Sequence, residues 1–182
     1  MFAAAMRYPH LLLAAAFLLH ACTKERDVQT VQYGNDSIDI RINEYSAASP
    51  QAQNEFGMEA DWIELYNAGA DTFRVAKERW FITDNINHKG NYALPAVVVP
   101  PGRFLVIWCD DSDTVAAAIH TNFKLSTGGE DIGVFMLSGL DTVPLDIRQF
   151  GAQLPGKSEG RKPDGSSSWT FFNTPTPGGS NQ

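Results

Sequence analysis

From Ile38 onward the chain alternates. Ile38, Ile40 and Ile42 stand against Asp39, Arg41 and Asn43. Neighbouring residues of an extended chain point to opposite faces, so this spacing demands a strand with one face buried. DWIELYN (61–67) sets Trp62, Glu64 and Tyr66 against Ile63 and Leu65. RWFIT (79–83), RFLVIWC (103–109), DIGVFML (131–137) and TVPLDIRQF (142–150) extend the series, RFLVIWC being apolar enough to be buried on both faces. Shorter strands are predicted at 73–75, 92–94, 122–125 and 169–172. Turn residues separate them, among them Pro100-Pro101-Gly102, Thr127-Gly128-Gly129 and Pro163-Asp164-Gly165. Thr114–His120 (TVAAAIH) alone suits a helical turn or two, with Asp113 as its N-cap. Many short strands with almost no helix predict an all-β fold, an antiparallel β-sandwich over residues 38–182.

Composition narrows the function classes. At 182 residues, 43% hydrophobic and 19% charged, the chain supports a packed core rather than disorder. A formal charge of -7 argues against nucleic acid as a partner, since such binding needs a basic face. Two cysteines are too few for a disulfide scaffold.

Residues 1–21 read as an address. Arg7 precedes the uncharged run Leu11–Leu19, which is too short to span a bilayer, where about 20 residues are needed, and suits a signal peptide. Met1 and Met6 are both possible starts. Leu19-His20-Ala21-Cys22 resembles the bacterial lipobox. That resemblance implies cleavage before Cys22, lipid chains (palmitate among them) on Cys22, and a membrane anchor at the cell envelope. The outer membrane is expected, with the periplasmic or surface face open. Residues 22–37 then form the lipidated tether, reaching about 20 Å as a flexible coil. Its charged start, Lys24-Glu25-Arg26-Asp27, resembles surface-export signals of some lipoproteins and equally suits a solvated linker.

INEY (42–45), DWIELYN (61–67), RWFITDN (79–85), PGRFLVIWCDD (101–111), HTNFKLSTGGEDIGVF (120–135), FGAQLPGKSEGRKPDG (150–165) and TPTPGGSN (174–181) together resemble the lamin tail domain in its bacterial secreted form. The resemblance implies an immunoglobulin-like sandwich without catalytic machinery. Lys77-Glu78-Arg79 departs from the family's small glycine turn before the tryptophan.

Several constellations carry possible chemistry. Gly151–Ser158 (GAQLPGKS) matches a phosphate loop letter for letter. Such a loop needs a helix at its end to converge amides on phosphate, and Gly160, Gly165 and Pro163 in the continuation oppose one. No nucleotide is expected, and a loop with solvated Arg161 and Lys162 is. Asp110, Asp111 and Asp113 are weak Ca²⁺ candidates, with Asp84, Asn85, Glu130 and Asp131 as further oxygen donors if the fold brings them near. No cofactor is expected. His88 and His120 lack zinc spacing, and His120 is a loop or core histidine open to pairing with a carboxylate. Cys109 is a small buried hydrophobe. Trp80 and Trp108 are core. Glu64 needs a partner, Arg103 or Arg41. Tyr92 and Trp169 are weak ligand candidates: exposed rings there would stack on sugars, although sealing the sandwich edge suits Trp169 better.

These readings predict a non-catalytic binding or scaffolding module for an unidentified protein partner at the envelope. The alternatives are a glycan-binding surface lipoprotein and, third, a metal-dependent hydrolase with His88 or His120 among carboxylates.

Overall fold

The computed structural model describes residues 31–33, 36–48, 52–75, 79–112 and 116–182, and none of these is helical. Cys22, Asp113 and the Lys77-Glu78 turn lie outside them. Fourteen strands follow in order. They are β1 (Val31–Tyr33), β2 (Asp36–Ile38), β3 (Ile40–Ser46), β4 (Asp61–Asn67), β5 (Phe73–Val75), β6 (Trp80–Thr83) and β7 (Tyr92–Ala93). The second half holds β8 (Val97–Val99), β9 (Phe104–Cys109), β10 (Ile119–His120), β11 (Asp131–Ser138), β12 (Asp141–Gln149), β13 (Ser158–Arg161) and β14 (Trp169–Phe172). A six-stranded sheet, β10-β9-β4-β3-β13-β14, faces a four-stranded sheet, β12-β11-β6-β7. Small pairs β1-β2 and β5-β8 complete the fold. All ladders are antiparallel except the short β9-β10 pair.

This is the predicted β-sandwich. Ile42, Tyr45, Ile63, Leu65, Ile107 and Cys109 from one sheet close on Trp80, Ile82, Ile132, Val134, Met136 and Leu145 from the other. Trp62 and Trp108 are buried on the opposite face of the six-stranded sheet, under Ala52, Ala60 and Ala118. That sheet is therefore covered on both sides.

Three local expectations fail. TVAAAIH does not yield a helix at its described end: Ile119 and His120 pair with Ile107 and Trp108. Cross-strand pairing and burial there outweigh the alanines' helix propensity. Residues 122–125 supply only a bridge, Lys124 to Asp110. The end of the expected tether is the β1-β2 hairpin, Val31 opposite Ile38.

Two bulges set the inside-outside phase. Ile42 pairs with Leu65 but Glu44 with Glu64, so Asn43 is an extra residue in β3. Inward positions then change from Ile40 and Ile42 to Tyr45 and Ala47. In β12, Asp146 pairs with Val134 and Pro144 with Phe135, leaving Leu145 extra and buried. A bulge redirects side chains, and these two aim Asn43 and Asp146 into polar sites.

Candidate functional site

The outward face of β3 and β4 carries Glu44 and Glu64 directly opposite each other, both wholly buried. Like charges so placed repel. No cation among the described residues lies within ion-pair distance of either. The C-terminal segment covers them instead. Gly178 N–H donates to Glu64 Oε2 at 2.6 Å, and Thr176 Oγ donates to Glu44 Oε2 at 2.7 Å. Ser158 Oγ donates to Glu44 as well. Burial pushes the Glu64 carboxyl up to about 8, against the pull of Asn43 and Gly178, and the neighbouring charge of Glu44 adds to the rise. Glu64 therefore keeps its proton at neutral pH. Burial also raises Glu44, opposed by its bonds from Ser158 and Thr176.

Asn43, placed by the bulge, is the hub. Its Nδ2 donates to Glu64 at 3.0 Å and to Asp164 at 2.9 Å, while its Oδ1 accepts from Gly165 N–H at 2.9 Å. Asn181 closes the ring, donating to Arg161 O at 2.7 Å and receiving support from Asp164 at its own N–H. Gly160 runs close beneath: a Cβ there would stand 2.8 Å from Asn181 Nδ2 and 2.9 Å from Asn43 O. INEY, DWIELYN, GRKPDG and TPTPGGSN thus meet in one polar clasp. Glu64 is served by Asn43 and Gly178, not by Arg103 or Arg41; Arg41 pairs with Asp39 at 2.7 Å.

A second polar site lies where β13 diverges from β3. Ile42 N–H donates to Asp146 Oδ2 at 2.9 Å, and Arg161 Nε donates to Ile42 O at 2.8 Å. Arg161 and Asp146 join at 3.0 Å, each 5 % exposed at the side chain. The ion pair thereby replaces ladder bonds and joins the two sheets. Arg161 is buried, contrary to the solvated loop expected, because β13 carries it into the sheet. Beside it, Arg148 pairs with Glu159 at 2.5 Å, and Tyr45 Oη donates to Glu159.

Trp169 is half-buried against this site. The guanidiniums of Arg148 and Arg161 lie 4.1 and 4.6 Å from its ring centroid, and Tyr45 lies 5.8 Å away. Tyr92 is also half-buried, packed against the core from β7.

His120 is wholly buried between two carboxylates. Its Nδ1 is 2.7 Å from Asp110 Oδ2, and its Nε2 is 3.2 Å from Glu55 Oε2. Burial alone would lower its proton affinity, but the bonds from Asp110 and Glu55 outweigh it and hold the imidazole above its ordinary value. Convergence of an imidazole with carboxylates is what the hydrolase alternative required. The order is wrong for nucleophilic catalysis, however. Ser112 Oγ donates to Asp110 at 2.7 Å, so the acid stands between serine and histidine instead of behind the histidine.

The other candidates are dispersed. Asp110 is committed to His120 and Ser112, and Asp111 is exposed in a left-handed conformation (φ 58°). No group of three or more His, Cys, Asp or Glu suited to a metal occurs among the described residues. Glu130 is held above its ordinary value first by burial, then by the charges of Asp84, Asp61 and Asp131. His88 sits in an exposed turn. Cys109 is a free buried thiol, its proton held firmly by burial. Past Lys157 the phosphate-loop match runs straight into strand β13, not a helix.

A family model for the lamin tail domain matches residues 35–146, more than half of the chain. The chain belongs to the lamin tail domain family. Curated proteins and solved structures return no match. The family is a β-sandwich domain without enzymatic function, and the matched span covers β2 to β11 with most of β12. The clasp also draws on residues 158–181, beyond that span. Sequence reasoning missed Asn43, Asp146, Thr176 and Asn181. The one signal was Glu64, an acid set between Ile63 and Leu65 with no cation in register.

Proposed function

We propose that this lamin tail domain is a non-catalytic binding or scaffolding module, lipid-anchored through Cys22 at the bacterial cell envelope, that meets a protein partner through its loops. The observation that carries this reading is the fate of the polar signature residues. Asn43, Glu44, Glu64, Arg161, Asp164 and Asn181 bond to one another or to the C-terminal backbone, leaving them for architecture rather than chemistry. Recognition then falls to loops on a rigid frame. The envelope address rests on the leader and the lipobox-like run ending at Cys22.

A glycan partner is less well supported, because two guanidiniums already lie over Trp169. The test has two arms. Radiolabelled palmitate should enter the wild-type chain and not Cys22→Ala, and protease treatment of whole cells distinguishes the surface from the periplasmic face. Against a panel of soluble polysaccharides, the protein should show neither retention nor turnover. Unlabelled wild type would refute the anchor; cleavage or specific retention of a polysaccharide would refute the protein-binding reading.

A further inference from the structure

The 52–60 loop is built differently from the clasp. Asn54 organises it: its Oδ1 accepts from Phe56 N–H at 3.0 Å and Met58 N–H at 3.1 Å, and its own N–H donates to Met58 O at 2.9 Å. The tip presents Phe56 and Met58, each 54 % exposed. Beneath it the loop covers Trp62 and Trp108 with only small side chains, Ala52 and Ala60. Trp62 Nε1–H is buried there without a hydrogen-bond partner. The cover over these two rings is thus one layer of small side chains.

Asn54 Nδ2 donates to Asp110 Oδ2 at 3.4 Å and the Phe56 ring lies 5.5 Å from the His120 ring, and the shorter ties come from the Glu55 carboxylate. Its Oε1 accepts from Ala118 N–H at 2.9 Å and its Oε2 faces His120. Among the described residues, Glu55 from the loop and Asp110 from the end of β9 are the acids within ion-pair distance of the ring. On the neighbouring segments Asp111, Glu59 and Lys124 are exposed, while Asp61, which follows the loop, is half-buried, accepts from Leu125 N–H and is pushed up to about 6 by burial. A doubly protonated imidazole donates to Asp110 through Nδ1 and holds Glu55 by charge, Nε2 standing 3.2 Å from Oε2 outside hydrogen-bond geometry. A neutral one has a single N–H, and the ring nitrogen left bare faces a carboxylate lone pair. Asp110 has the shorter contact and is also bound by Ser112, so the remaining proton stays on its side and Glu55 is the partner released.

We propose that Glu55, His120 and Asp110 form a pH-operated latch: protonated His120 holds the 52–60 loop over Trp62 and Trp108, and deprotonation frees the loop with its Phe56–Met58 tip. This device is independent of the identity of any partner. The raised proton affinity of His120 places release on the alkaline side of an ordinary histidine, about 6.5.

The test pairs two readouts on the full chain between pH 5 and 9. One is the NMR titration of the His120 ring. The other is hydrogen exchange of the Phe56 and Met58 amides relative to Ile63 in β4, a ratio that cancels intrinsic base catalysis. The latch predicts that loop protection falls with the His120 midpoint, above pH 6.5, while Ile63 stays protected. Glu55→Gln changes a partly exposed side chain and should leave the fold intact, lower the His120 midpoint and remove the pH dependence of the ratio. A flat ratio in the wild type while His120 titrates would overturn the proposal. So would a pH-dependent ratio that persists unchanged in Glu55→Gln.

Discussion

The outer face of the six-stranded sheet is covered twice, in two different ways. Over Glu44 and Glu64 the cover is the C-terminal segment, held by backbone amides, hydroxyls and Asn43, with no cation. Over Trp62 and Trp108 the cover is the 52–60 loop, held by an imidazole between two carboxylates and tipped with exposed Phe56 and Met58. The first cover seals buried acids by keeping them hydrogen-bonded and, at Glu64, protonated. The second sets a titratable contact beside an apolar tip. Buried polar networks fix a unique arrangement when every member is satisfied; a charge contact that depends on a bound proton does not. One half of this face is architecture, and the other carries the proposed latch.

The comparison breaks first if the sealed side tolerates damage. Arg161→Met leaves Asp146 buried without its cation and Ile42 O without its donor, and should cost about 3–5 kcal/mol in chemical denaturation. Gly160→Ala inserts a methyl between Asn181 and Asn43 and should cost about 1–3 kcal/mol. Trp169→Leu removes the surface on which Arg148 and Arg161 stack and should lower stability by roughly 1–2 kcal/mol. On the responsive side, the double variant Phe56→Ser with Met58→Ser should change stability by less than about 0.5 kcal/mol, as exposed substitutions do. A loss as large as that of Gly160→Ala would mean that the tip belongs to the frame.

Much of the frame was legible from spacing. Alternation located the long strands, and turn residues located their ends. Trp80 and Trp108 are buried as their strands implied. What spacing conceals is phase. The extra residues Asn43 and Leu145 shift the alternation midway along β3 and β12, and a bulge has no composition signal of its own. Arg161 looked solvated because glycine and proline surround it, yet four residues of strand suffice to carry it inside. The clasp was illegible for a further reason. Its members come from residues 43–44, 64, 158–165 and 176–181, and only the closed sandwich brings them together. Glu64 was recognised as needing a partner; that the partners would be an asparagine and a glycine amide was not readable from charge.

The signature acids are structural, with Glu64 buried as a neutral group. In the unfolded chain Glu64 titrates near the ordinary glutamate value of about 4.3, whereas in the fold it is pushed up to about 8. Between these values the folded state holds the extra proton. Its contribution is therefore complete below the lower value and is lost as pH rises through the upper one. Denaturation of the wild type and Glu64→Gln from pH 4 to 9 measures this directly. The wild type should lose stability relative to the variant across that window and the difference should level off above about pH 8, because glutamine cannot ionise. Parallel curves would show that Glu64 is charged in the fold and that the clasp does not work as described.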